Sequence, residues 1–177
     1  MKKNDSLKSL IVLVVICLII AIAMAAINNV TAPKIDEANK AAEQEALHTV
    51  LDNATDFEKV EGIYPETVTA FYRDSAGNGY VAMLSVKGYD SSNPMKIAVG
   101  FDKDGNITKC HVISCNGETS GIGTKVSSDG FLNEFAGADS SMSNVDTISG
   151  ATISSSAFIG AVKDAFEALK IAKGGEA

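Results

Sequence analysis

The stretch DTISGATISSSAF, residues 146–158, decides how the chain is read. It is small-residued, hydroxyl-rich and nearly chargeless, and it runs directly into the last helical pattern, residues 154–173. That pattern puts Phe158, Ile159, Val162, Phe166 and Leu169 on one apolar face and is predicted to stop at Gly174 and Gly175. Hydroxyls at a helix start have two physical uses. Thr152 or Ser154 would cap the first free N–H groups, but a capping box asks for Glu or Gln three places on, where Ser155 and Ala157 stand. A helix N-terminus also attracts an anion, and Gly150 and Ala151 let a phosphate approach the backbone. One cap needs one hydroxyl, and here there are six: Thr147, Ser149, Thr152, Ser154, Ser155 and Ser156. Composition alone leaves capping and phosphate binding both open.

Upstream of this stretch the pattern is that of strands. Residues 67–73 and 80–89 flank the turn Ala76-Gly77-Asn78-Gly79, and residues 96–101 and 107–114 flank Asp102-Lys103-Asp104-Gly105-Asn106. Four strands in sequence predict an antiparallel meander, and a short helix is expected over 130–136. With the last helix, the fold class is α+β. Two loop motifs look like ligand sites and fail on spacing. Gly105 comes two positions too early for a calcium loop, and Gly123-Thr124-Lys125 is not the Gly-Lys-Ser/Thr of a phosphate loop.

The N-terminal third is different in kind. Residues 10–27, LIVLVVICLIIAIAMAAI, carry no charge, and such a run rises about 27 Å as a helix, close to a bilayer's hydrocarbon thickness. It exceeds the core of a usual signal peptide, although Ala21-Ile22-Ala23 and Ala23-Met24-Ala25 resemble cleavage sites. The expected layout is residues 1–9 in the cytoplasm, a transmembrane helix over 10–30 and an extracytoplasmic domain over 31–177. Pro33 is expected to close the membrane segment, and a second helix over 34–53 has Ile35, Ala38, Ala42, Ala46, Leu47 and Val50 on one side. Lys2, Lys3 and Lys8 against Asp5 give the first nine residues +2, so a chain of net −7 carries −9 beyond them. Positive charge resists translocation, which keeps the N-terminus in the cytoplasm.

That acidic exterior argues against nucleic acid, which rewards clustered Lys and Arg. Three cysteines are too few for a metal framework, and Cys110 and Cys115 read as half-buried thiols with a disulfide as the alternative. His48 reads as surface or packing. No nucleophile-and-base set or general acid–base pair is evident, so no catalytic residue and no metal ligand is assigned.

Asp146-Thr147-Ile148-Ser149-Gly150-Ala151-Thr152 resembles the D-x-x-[ST]-G-A-T flavinylation motif of FMN-binding domains. A second motif agrees. Asn116-Gly117-Glu118-Thr119-Ser120-Gly121-Ile122-Gly123 is similar to H-x-E-T-P-G-[LI]-G, with Asn116 replacing His and Ser120 replacing Pro. With the N-terminal apolar helix, the chain resembles the family of G subunits of Rnf electron-transport complexes over nearly its whole length. The resemblance implies FMN joined by a phosphoester to Thr152, with Ser149, Gly150 and Ala151 around the phosphate and Asp146 serving recognition by a flavin transferase that uses FAD and a divalent metal. It places Glu118, Thr119, Gly121 and Gly123 near the flavin or its ribityl chain, and Lys125 facing phosphate or solvent. It further implies one-electron shuttling between ferredoxin and NAD, coupled to sodium or proton translocation. The implied partners are the other Rnf subunits, with A, D and E in the membrane and B and C in the same complex. The C subunit of sodium-pumping NADH:quinone reductase, a free-standing exterior flavoprotein, and an anchored sensor or adhesion module without flavin are the alternatives.

Overall fold

A computed structural model describes residues 2–174, with side chains from residue 8. The side chains of Lys2, Lys3 and Asp5, which enter the orientation expectation, and the stop at Gly175 lie outside the described residues. The elements are helix α1 (Lys2–Val50), strands β1 (Phe57–Lys59), β2 (Val68–Asp74), β3 (Gly79–Val86), β4 (Met95–Asp102) and β5 (Ile107–Ser114), a 3-10 turn (Gly123–Ser127), the short helix α2 (Asp129–Leu132) with a second 3-10 turn (Asn133–Phe135), and helix α3 (Thr152–Gly174).

The chain divides into two units, Met1–Ala42 and Glu43–Ala177. In the first, α1 is long and apolar enough to cross a membrane, and its large apolar side chains from Leu10 to Ile35 are all exposed. Pro33 does not close it; the helix continues through to Val50. Proline removes one N–H from the ladder and crowds the carbonyl four residues back, which weakens a long helix without having to end it. The expected apolar side of the second helix is realised only at its end: Ile35 is exposed, whereas Ala46, Leu47 and Val50 are buried.

The second unit is built on a five-stranded sheet in the order β1-β2-β3-β4-β5, antiparallel at every pairing. Period-2 alternation splits its side chains cleanly. The pairs Ala82↔Val99, Leu84↔Ile97 and Val86↔Met95 lie on the face that joins the main core with Phe71 and Phe101. Met83↔Ala98 lies on the other face with Val81, where Ala46, Leu47, Val50 and Leu51 cover it. Helix α3 packs Phe158, Ala161, Val162, Ala165, Phe166 and Leu169 into the main core, and Phe101 and Phe166 meet edge to face at 5.0 Å. Where the sequence pattern predicts four strands, the sheet has a fifth. This is β1, three residues long with Glu58 and Lys59 exposed.

Candidate functional site

The start of α3 follows from a local turn. The Ala151 N–H donates to the Ile148 carbonyl at 2.9 Å, and Gly150 between them takes φ +81, where a side chain would be strained. Ser155 pins the turn to the helix: its Oγ accepts from the Ile148 N–H at 3.1 Å and donates to the Ala151 carbonyl at 2.8 Å. Ser155 is fully buried, so one hydroxyl of the six has a structural task here. Neither Thr152 nor Ser154 caps the helix. Among the described residues, no acceptor meets the backbone N–H groups of Thr152, Ile153 and Ser154, and Thr152 itself is exposed.

These groups form one wall of a cleft of about 490 Å³, together with Gly150 and Ala151. The opposite wall is the glycine-rich loop, through Thr119, Ile122 and Gly123, with Tyr89 from the loop after β3. The glycine-rich loop is closed on itself: the Thr119 carbonyl accepts from Ile122 N–H at 3.1 Å and Thr124 N–H at 3.2 Å, and Thr124 Oγ1 accepts from Gly121 N–H at 2.9 Å. The loop carrying Tyr89 is held by Asp90, whose carboxylate accepts from Asn93 Nδ2 at 2.7 Å and Ser92 N–H at 2.8 Å. Those hydrogen bonds, the Asn93 amide first, keep the Asp90 carboxyl below its ordinary value.

An esterified phosphate fits this arrangement. Three unclaimed N–H groups stand at the positive end of a 23-residue helix, a Cβ at Gly150 would meet nothing within 4 Å, and the Thr152 hydroxyl stands at the same place. The mouth is apolar. Tyr89 is 67% exposed, Ile153 59% and Ile122 47%, an apolar grouping suited to a flat ring.

The structure thus brings Thr119, Gly123, Gly150, Ala151 and Thr152 into one cleft. It sets the other predicted residues apart. Ser149, Gly121 and Lys125 are exposed and do not line the cleft. Asp146 is exposed, with its N–H on Glu134 Oε2 at 3.3 Å. Glu118 is buried behind the wall rather than facing the cleft. Sequence reasoning missed Tyr89, Ile153 and Ser154 as lining residues. Lone apolar residues in loops and at helix starts carry no periodic signal, and only Ile122 stood inside a motif.

Comparison with known proteins connects the domain that holds this cleft with FMN. The FMN-binding domain profile matches residues 88–167, a span that contains every residue lining the cleft, and the RnfG N-terminal region profile matches residues 1–50. The two matched regions take in the cleft-bearing domain and the N-terminal helix. It is 29% identical over 177 residues to the G subunit of the proton-translocating ferredoxin:NAD(+) oxidoreductase complex of Clostridium ljungdahlii, covering 93% of this chain and 91% of that one. It is 28% identical over 182 residues to the G subunit of the ion-translocating oxidoreductase complex of Methanosarcina acetivorans, covering 94% of this chain and 96% of that one. Both alignments span the N-terminal helix and the FMN-binding domain together.

Proposed function

We propose that the protein is the membrane-anchored flavoprotein electron carrier of an ion-translocating ferredoxin:NAD oxidoreductase, relaying electrons through FMN esterified to Thr152. The observation that carries this reading is the coincidence, at one helix start, of an exposed threonine hydroxyl, three unclaimed N–H groups and a glycine without steric neighbours. FMN supplies the redox chemistry that no side chain of the chain offers. The chain's own groups bind and orient: the N–H groups of Thr152, Ile153 and Ser154 hold the phosphate, and Tyr89, Ile122 and Ile153 give the ring an apolar seat at the cleft mouth. These side chains are themselves exposed at the cleft mouth, where a bound ring would be open to a partner. Asp146, exposed in the motif loop, serves the transferase that installs the flavin from FAD.

A phosphoester keeps the carrier from being lost to the exterior medium, and the anchor raises its effective concentration beside its partners. These partners are the A, D and E subunits in the membrane, with B and C in the same assembly. The helix α1 is the anchor, with the N-terminus cytoplasmic and the flavin domain outside, as the lysine excess before residue 10 favours. Helix α1 has no acidic residue between positions 10 and 27, so it is not the ion path.

Mass spectrometry of the full chain, isolated from cells with an active flavin transferase, tests the reading. The expected mass exceeds that of the sequence by one FMN less one water, the increment maps to Thr152, and Thr152→Ala removes it along with the yellow colour. An unmodified wild-type mass from such cells refutes the carrier assignment.

A further inference from the structure

Glu118 is a buried carboxylate beside the cleft that the flavin reading leaves without a task. Its side chain belongs to a residue only 6% exposed. Its Oε1 accepts the Tyr89 N–H at 3.0 Å, and its Oε2 accepts the Ser154 hydroxyl. No cation pairs with it among the described residues. A buried carboxylate is costly unless its lone pairs are met, and here two chain segments meet them from either side.

The chain also clears room for it. A Cβ at Gly88 would run into the Glu118 carboxylate, and one at Gly123 would stand 2.8 Å from Oε2 and 2.9 Å from Ser154 Oγ. Gly88 and Tyr89, Glu118 to Gly123, and Ser154 therefore converge on one side chain. Tyr89, Gly123 and Ser154 all line the cleft, whereas Glu118 does not. Its hydrogen bonds join Tyr89 and Ser154 to the glycine-rich loop through one carboxylate.

We propose that Glu118 is a positioning residue: a bracket behind the cleft that fixes the helix start bearing Thr152 against the glycine-rich loop and Tyr89, so that the threonine hydroxyl is presented for flavin attachment. It does not touch the ligand. The inference rests on reading the cleft as the flavin site. Attachment depends steeply on geometry, because a misplacement of about 1 Å at a reacting group can cost on the order of 100-fold in rate.

The test uses the full chain and purified flavin transferase with FAD and a divalent metal, reading the initial rate of FMN incorporation by mass. Glu118→Ala is expected to load at least tenfold more slowly while its thermal melt stays cooperative. Glu118→Gln is expected within about twofold of wild type, because the amide oxygen accepts from Tyr89 N–H and the Ser154 hydroxyl turns to accept from the amide nitrogen. Gly88→Ala slows loading in the wild-type background and adds nothing to Glu118→Ala, the non-additivity of residues in contact. Loading of Glu118→Ala at the wild-type rate overturns the proposal, as does a Glu118→Gln rate as low as that of Glu118→Ala. Should Glu118→Ala not fold, Gly88→Ala at the wild-type rate overturns it equally. Hydrogen exchange at the Tyr89 N–H separates the bracket from the flavin reading. It should accelerate in Glu118→Ala whether or not the chain carries flavin, and unchanged protection there defeats the bracket alone, whereas a wild-type chain that never loads defeats the flavin site alone.

Discussion

Three tight loops of this domain begin with aspartate and turn on a glycine, and they treat their polar groups in opposite ways. Two are hairpins with one spacing, Asp74-Ser75-Ala76-Gly77-Asn78 and Asp102-Lys103-Asp104-Gly105-Asn106, in which the glycines take φ +78 and +97. In the first, Asp74 Oδ2 accepts from Asn78 N–H at 3.0 Å and from its amide at 2.6 Å, while Oδ1 is buried without a partner among the described residues. In the second, Asp102 Oδ1 accepts from Gly105 and Asn106 N–H at 2.7 and 2.9 Å, and Oδ2 from the Asn106 amide at 3.0 Å. The third loop, leading from Asp146 to Gly150 at φ +81, closes without its aspartate: no hydrogen bond reaches the Asp146 carboxylate among the described residues. Similar residue types thus build a clamped turn twice and an open one once. The open loop is the one followed by unclaimed N–H groups, and these stand at a helix start, the position that favours an anion.

The largest effect on stability should come from the clamp that is fully buried. Asp74 has no exposed surface, so Asp74→Ala is expected to cost about 1–3 kcal/mol in chemical denaturation by leaving the Asn78 donors unmet. Flavin loading of the folded fraction should be unchanged. The same clamp predicts an acid limb. Burial pushes the Asp74 carboxyl up, but hydrogen bonding, from Asn78 above all, outweighs it and leaves it below its ordinary value of 3.8. A carboxyl depressed on folding adds stability that is complete above the unfolded value and is lost as pH falls through the folded one. Wild-type stability should therefore drop below about pH 4, and Asp74→Ala should flatten that drop. A wild-type curve no steeper than the variant's would dissolve the distinction between clamped and open turns.

A smaller effect compares two glycines. Gly77 and Gly150 share φ near +80, and an added Cβ would meet nothing within 4 Å at either. Alanine at each should cost a similar amount, about 1 kcal/mol, from backbone strain alone. Only Gly150→Ala should slow flavin incorporation, since it alone puts a methyl group where the phosphate approaches. Equal loading of the two variants would mean that the 150 position has no ligand to crowd.

Legibility from sequence differs between fold and site. The hairpins are readable because Asp, Gly and Asn announce their turn at fixed offsets, and the strands beside them are runs of seven or eight residues, the central two mostly apolar because both faces of the sheet are covered. Strand β1 is not, because three residues with two exposed charges give no alternation to detect, and only its pairing with β2, Phe57↔Asp74, reveals it. Helix α1 runs on where the sequence signals a break at Pro33, because a long helix tolerates the loss of one hydrogen bond. In the site, Gly150 and Thr152 stand out by motif. The direction of Glu118 does not, since a motif names a neighbour of the cleft without saying on which side of the wall its carboxylate lies.

The smallest effect on stability should belong to Asp146, and it sharpens the comparison most. Its side chain is exposed and makes no hydrogen bond within the described residues. Removing it takes away no clamp, and Asp146→Ala should change stability by less than about 0.5 kcal/mol, the usual range for such surface positions. The proposed function gives this aspartate, which the fold does not use, a task in recognition by the flavin transferase. Asp146→Ala should therefore keep the wild-type melt while its rate of FMN incorporation by the transferase falls, with the loss in KM or kcat recorded separately. Asp146→Asn keeps the shape and removes the charge, so a matching loss there assigns the effect to the negative charge rather than to the turn. A variant that melts early would show that the third loop is clamped after all, like the two hairpins.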